Sequence, residues 1–421
     1  VNSYIKYITS FVLLFTASYV DAQQLSDLNW YFSGNDKALV FGKESGSAPI
    51  IDLGKLGQQN TGEKVTLSHP VTGDLLAYVD RGNVYDASHQ IMPNGNGLFT
   101  DIDGLQSMVV SPVPGANSAN KYYIFHRDDS GQIFGTIIDM NEQGNRQDGP
   151  PAGIVIDNGK NIDMNIPSAR GDGMLTVSSF DGSTFWLVTQ RLSDGLIEYF
   201  EIPDEGSTFG SAAGNINLTN AVTVSHFAYH NQTGRIAIIP SNDANIEILD
   251  FRPNIPEMVH EETLLNSFVF NETFGGSAGW SLSGANLYFS RNTSSGGNIY
   301  RYQFETDSTE STLRPVLANE VAESLSLKLA PDSAIYHLYR ESTGGTILLG
   351  RITQADSLLS QVNYESQLFE GESFGSAYFA TFNPPESIQP QIIAMAPDQG
   401  CANNPVQFYP IIFPSDAIPT D

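Results

Sequence analysis

Short apolar runs recur along this chain, either alternating with polar residues or continuous and rich in aromatics. Clusters of Gly, Asn, Asp, Ser and Pro separate them. Apolar residues at helical spacing are scarce, so the pattern predicts strands rather than helices. Seven runs are directly comparable: LAYVD at 76–80, YYIFHR at 122–127, FWLVTQR at 185–191, RIAII at 235–239, NLYFSR at 286–291, AIYHLYR at 334–340 and AYFAT at 377–381. Their starts repeat about every 45–50 residues, the length of a four-stranded supersecondary unit. A turn precedes most of them, as at Thr72-Gly73-Asp74, Asp181-Gly182-Ser183 and Pro331-Asp332-Ser333. A second turn and another strand follow, as at Asp129-Ser130-Gly131 and Ser193-Asp194-Gly195. Strand, tight turn, strand is a hairpin.

One such unit cannot bury both of its faces, whereas a closed ring of units can. The expected fold is therefore all-β: a β-propeller of about seven blades, with six or eight left open. The segments NWYF at 29–32 and ALVF at 38–41 precede the first run. They are expected to lend a strand to the last blade and close the ring. The stretch HQIM at 89–92 reads as a blade strand. Pro93 to Gly97 then reads as its exit loop, because Pro fixes its dihedral and Asn and Gly accept left-handed geometry. The repeat ends near Asn383-Pro384-Pro385. This predicts three parts: a signal peptide at 1–22, the propeller at 23–385, and at 386–421 a linker with the first strands of an incomplete sandwich domain.

The amino-terminal stretch carries Lys6, an apolar run from Ile8 to Val20, and small residues at Val20-Asp21-Ala22. These are the parts of a secretory signal, with cleavage expected between Ala22 and Gln23. That apolar run is short for a bilayer span, which takes about 20 residues, and no later segment qualifies. Export to the cell surface or medium follows as an expectation. The single cysteine, Cys401, provides no internal disulfide framework.

Charge narrows the partners. The 47 acidic against 20 basic residues give a net charge of −27. Such a surface repels phosphate backbones, so nucleic acid is not an expected partner.

Several motifs together resemble the amino-terminal propeller of large secreted proteins of Bacteroidetes that carry PKD domains or are associated with gliding motility. The carrying residues are 29–32 with 38–41, GNVYD at 82–86, HQIMPNG at 89–95 with Gly97-Leu98, the stretch 106–115, and YYIF at 122–125. CANNPVQF at 401–408 resembles the opening of a following PKD-type sandwich. The chain departs from that pattern at Ser33, Tyr85 and Ala87. The resemblance implies a surface or secreted role linked to gliding, adhesion or type IX secretion, with outer-membrane or surface partners.

Candidate chemistry is sparse. His226 and His230 lie about 13 Å apart along a strand and cannot share a zinc ion. Asp101-Ile102-Asp103-Gly104 and Asp157-Asn158-Gly159 resemble pieces of calcium loops but lack the continuation to a terminal Glu. No cofactor is expected, with weak Ca²⁺ binding at loop tips as the alternative. Residues 179–186 nearly match the Asp-box of sialidase propellers, but Gly182 follows Asp181 directly. Arg81, Arg127, Arg191, Arg291 and Arg340 end or follow comparable runs, so they form a speculative ligand face. No catalytic set is complete. The expected function is a non-enzymatic module binding an extracellular protein or glycan. The alternatives are a glycosidase or lyase acting on polysaccharide, which requires two carboxylates about 5–9 Å apart for glycoside hydrolysis, and a structural part of an envelope machine.

Overall fold

The computed structural model describes residues 26–32, 37–42, 49–53, 64–100, 106–115, 120–179, 182–219, 223–241, 245–264, 273–293, 295–304, 314–375, 379, 381–382, 391–395 and 409–413. Among them the regular structure is strand, with two single-turn 3-10 helices at Asp157–Gly159 and Leu359–Gln361.

The strands fall into successive antiparallel sheets. Sheet I holds Asn29–Tyr31, Lys37–Val40 and Ile50–Leu53. Sheet II holds Lys64–Ser68, Leu75–Asp80 and Asn83–Asp86. Sheet III holds Met108–Pro112, Lys121–Arg127 and Ile133–Asp139, with Ile154–Val155 and Ile162–Asp163 on its outer edge. Sheet IV holds Arg170–Ser178, Phe185–Arg191, Ile197–Glu201 and Gly214–Ile216. Sheet V holds Val224–His230, Arg235–Pro240, Ile246–Arg252 and Glu257–Leu264. Sheet VI holds Thr273–Trp280, Asn286–Thr293, Gly296–Gln303 and Arg314–Val321. Sheet VII holds Glu323–Leu329, Ile335–Arg340, Ile347–Thr353 and Asn363–Glu365.

The second strand of each sheet buries both faces, and period-2 alternation is the reason. In sheet III, Tyr122 and Ile124 pack toward sheet II, while Tyr123 and Phe125 pack toward sheet IV. In sheet VII, Ile335 and Tyr339 meet sheet VI, while Tyr336 and Leu338 meet sheet I. The same apolar cement joins IV to V through Trp186 and Phe251, and V to VI through Ile239 and Trp280. Sheets I and II meet through Tyr31, Ala38 and Tyr78. The cycle is thus closed: sheet VII packs on sheet I, where Trp30, Leu39 and Phe41 meet Tyr336 and Leu338. The first strands of neighbouring sheets also touch one another and so line the axis. This is a β-propeller.

Three expectations need correction. The segment 29–41 does not complete the last sheet. Sheet VII already has four strands of its own, so 29–53 forms the separate sheet I. The AYFAT run is not a blade-centre strand either. Residues 377, 378 and 380 lie outside the described residues, and Thr381–Phe382 joins sheet II, pairing in parallel with Val65 and Thr66. The equivalent second strand is Lys37–Val40. The stretch 89–92 is not a blade strand: Asn83–Asp86 is, and the chain then folds back so that Ile91 bridges Tyr85. Asp86 drives that reversal, its Oδ1 accepting hydrogen bonds from the backbone N–H groups of Ser88 and Gln90.

The Pro93–Gly97 loop then joins sheets II and III. Asn94 donates to the carbonyls of Val155 and Ile156. Lys160 donates to Asn94 Oδ1 and to the carbonyls of Asn94 and Asn96. Beyond the propeller, Gln391–Met395 and Tyr409–Phe413 pair as an antiparallel two-stranded sheet. The signal stretch 1–22, Gln23, Cys401 and the Asp101–Gly104 motif lie outside the described residues. Among the described residues, no helix is long and apolar enough to cross a membrane.

Candidate functional site

The inner strands carry register shifts, and these aim side chains that a regular strand would hide. In sheet VII the shift lies between Ser324 and Ser326. Leu325 consequently packs toward sheet I and Leu327 toward sheet VI, although two residues apart they would share a face in a regular strand. Lys328, next along, reaches the seam between sheets VII and I. Its Nζ lies 3.6 Å from Asp27 Oδ1 and 5.4 Å from the centre of the Trp30 ring. Trp30 Nε1 donates to the same Asp27 oxygen at 3.1 Å. One buried indole thus holds the carboxylate with its N–H and the ammonium with its π face.

Asp27 and Lys328 each keep 21% of their side-chain surface, so solvent reaches both. Surrounding protein still displaces most of their water. Burial raises the Asp27 carboxyl to about 6, against the opposing pull of Lys328. Burial lowers the Lys328 ammonium to about 8, with Asp27 resisting the change. Both groups are therefore moved toward their neutral forms.

His226 feels the charge of Lys328 from two sheets away. It is half-buried on the inner strand of sheet V, where a register shift lies between Val224 and itself. Desolvation lowers its imidazole to about 4, and the Lys328 charge adds to that. The inner strand of sheet VI stands between them, and a Cβ on its Gly279 would lie 3.5 Å from Ile335 Cγ2 and 3.6 Å from Lys328 Cα. The direct contact is one carboxyl group and one amine, contributed by sheets I and VII.

The arginines singled out in the sequence behave differently. Arg127 is buried; it donates to Asp172 at 2.5 Å and to the Arg170 carbonyl. Arg191 pairs with Asp194 at 2.7 Å and with Glu198 at 3.0 Å. Arg340 pairs with Glu323 at 2.6 Å. Arg291 is buried. Arg81 is exposed and occupies a hairpin turn. Three of the five therefore neutralise carboxylates of this chain. Arg170, which sequence reading passed over, is wholly buried. It lies 2.5 Å from Glu198 and over the Phe200 ring.

The other histidines are structural. His126 sits between the Phe99 carbonyl and Thr136, and His337 between Ser324 and Tyr364. His230 is engaged by Thr233 and the Leu282 carbonyl, so it does not pair with His226. Asp157–Gly159 forms one 3-10 turn. Among the described residues, no three His, Cys, Asp or Glu side chains gather as a metal cluster. A surface cavity of about 390 Å³ lies between sheets III and IV, lined by Pro114, Ser183, Thr184, Glu201 and Asp204 among others; it shares no residue with the Asp27–Lys328 cluster. It holds carboxylates but no cationic side chain among these residues, whereas the seam sets an amine against a carboxyl group.

The closed cycle of antiparallel sheets defines the class, a β-propeller, with the Asp27–Lys328 contact at one seam. No family model matches the chain, and no curated protein does. Solved structures do. A protein from Lactobacillus plantarum is similar at TM-score 0.50 and 11% identity, covering 84% of this chain and 99% of that one. A protein from Bacteroides uniformis, provisionally assigned as a 6-phosphogluconolactonase, is similar at TM-score 0.46 and 10% identity, covering 82% and 96%. The β-propeller domain of Cps50 (Swd1) from Myceliophthora thermophila gives 0.44 and 10%, covering 75% and 94%. At these identities the likeness concerns the fold alone. It corrects one expectation. A protein provisionally assigned as an enzyme stands among the similar structures, so the propeller gives no ground for calling this chain non-enzymatic.

Proposed function

We propose that this chain is an exported β-propeller that engages an extracellular glycan or protein at the seam formed by Asp27 and Lys328. One observation carries the reading: an amine and a carboxyl group, both solvent-reached and both moved toward neutrality by burial, meet across two sheets. Perturbed, partly exposed pairs of this kind cluster at binding and catalytic sites. The engaged state of Arg127, Arg191 and Arg340 supports the seam over the arginine face. Export is supported by Lys6, the 8–20 apolar run and Val20-Asp21-Ala22. The resemblance to secreted Bacteroidetes propellers supports a role in adhesion, gliding or type IX secretion. The net charge of −27 weighs against nucleic acid.

The chain from residue 23 onward should be applied to a glycan array and, separately, used to capture partners from envelope extracts. The expected result is a ligand whose binding weakens at least tenfold in Lys328→Met while circular dichroism is unchanged. A ligand bound equally by Lys328→Met, or displaced instead by changes at Glu201 and Asp204, would move the site elsewhere. Recovery of outer-membrane proteins with no sugar bound would favour a structural part of an envelope machine.

A further inference from the structure

We propose that Lys328 is a carbonyl-reactive amine, which condenses reversibly with the aldehyde or ketone group of a small polar ligand. This goes beyond binding, and it holds for the amine whichever ligand is natural.

Three other described lysines are held by acceptors. Lys37 is engaged by the Glu372 carboxylate and lies over the Phe374 ring. Lys121 lies 2.7 Å from Glu205 and 3.5 Å from Asp139, and the Glu205 hydrogen bond holds its ammonium above the ordinary range. Lys160 is gripped by three oxygens of the 94–96 loop. Each of these is held by acceptor oxygens. Lys328 is instead lowered by burial to about 8. A desolvated lysine keeps a usable fraction of neutral amine near pH 7–8, which nucleophilic attack requires.

The surroundings also suit the reaction. The amine lone pair attacks the carbonyl carbon, and the carbonyl oxygen takes up a proton, giving a carbinolamine. Its hydroxyl must then leave as water. Asp27, 3.6 Å away and partly protonated near neutrality, supplies the proton for that departure. The C–O bond breaks, the C=N bond forms, and the nitrogen's proton returns to the Asp27 carboxylate. The balance is amine plus aldehyde giving imine plus water, with no redox partner. Lys328 keeps 21% of its side-chain surface, so a small carbonyl compound can reach it. His226 stays neutral and adds no competing positive charge.

The test incubates the full chain with glyceraldehyde and cyanoborohydride, then maps adducts lysine by lysine by mass spectrometry. Lys328 should be modified at least tenfold faster than Lys121 at pH 7.5, with a rate midpoint near pH 8. Modification of Lys328 no faster than Lys121, or rising only above about pH 10 as for an ordinary lysine, overturns the proposal. Mapping the unaltered chain needs no variant to fold. Lys328→Arg should abolish the fast adduct and leave the slow ones unchanged; a fast adduct surviving in that variant would also overturn it.

Discussion

The side-chain amide of Gln106 takes both main-chain groups of Phe227. Its Oε1 accepts the Phe227 N–H at 2.8 Å, and its Nε2 donates to the Phe227 carbonyl at 3.2 Å. Gln106 stands before the inner strand of sheet III and Phe227 is in sheet V, so the contact skips over sheet IV. The Gln106 carbonyl meanwhile accepts from Met174 of sheet IV. One residue thus joins three sheets. Gln190 reaches the N–H of Val224 in the same way, and Asn292 takes both the N–H and carbonyl of Ser324. Side-chain amides fit this task because each carries a donor and an acceptor side by side.

Replacing Gln106 by Leu keeps similar bulk but leaves the Phe227 groups without the amide. Gln106 is only 5% exposed, so water does not readily replace it. A loss of about 2–4 kcal/mol in urea unfolding is expected, from two buried backbone groups at about 1–3 kcal/mol each with partial relaxation. A loss below 0.5 kcal/mol would show that the strands hold register without it.

Arg81 gives a prediction of the opposite sign. Asp80 pairs with Asn83, so Arg81 and Gly82 form a two-residue hairpin loop, both with positive φ, 45° and 70°. Such loops favour Asn-Gly. Arg81→Asn should therefore stabilise the chain by about 0.5–1 kcal/mol, read as a higher melting temperature. Gly82→Ala should destabilise it, because a Cβ there would lie 2.8 Å from the Leu98 carbonyl oxygen.

Acid should weaken the fold through its histidines. Desolvation lowers His126, His226 and His230 to about 4, and His337 to about 3, from an ordinary 6.5. The unfolded chain therefore takes up protons first as pH falls. Stability is fully present above about pH 6.5 and is lost progressively toward pH 4. For wholly buried His126, the gap between 6.5 and 4 corresponds to about 3 kcal/mol. Melting temperature should drop across that window, and the drop should be smaller in His126→Asn. An equal drop in that variant would assign acid sensitivity to other groups.

The second strands were readable because their apolar residues alternate between two buried faces, as Tyr122-Tyr123-Ile124-Phe125 illustrates. The ring's closure was not. Sheet I has short strands with a weak repeat signal, and the Thr381 pairing with Val65 leaves no local pattern. Nor could the seam cluster be read directly. Asp27 and Lys328 stand near opposite ends of the propeller sequence, and only ring closure brings them together. Lys328 did leave a trace: in the inner-strand sequence Ser-Leu-Ser-Leu-Lys-Leu, a lysine holds a position where its neighbours are small hydroxyls or leucines. His226 stood out in the sequence only through its spacing from His230, which excludes a shared metal ion and carries no hint of Lys328.

The parallel pairing of Thr381 with Val65 has a consequence for how the molecule comes into being. Sheet II cannot acquire its innermost strand until residues 381–382 have emerged from whatever ribosome or translocon delivers the polypeptide. Until then the nascent array carries a bare hydrogen-bonding edge at its centre. A chain stopped just short of residue 381 should accordingly keep its individual sheets yet stick to other copies, because the strand that covers the inner edge of sheet II would be missing.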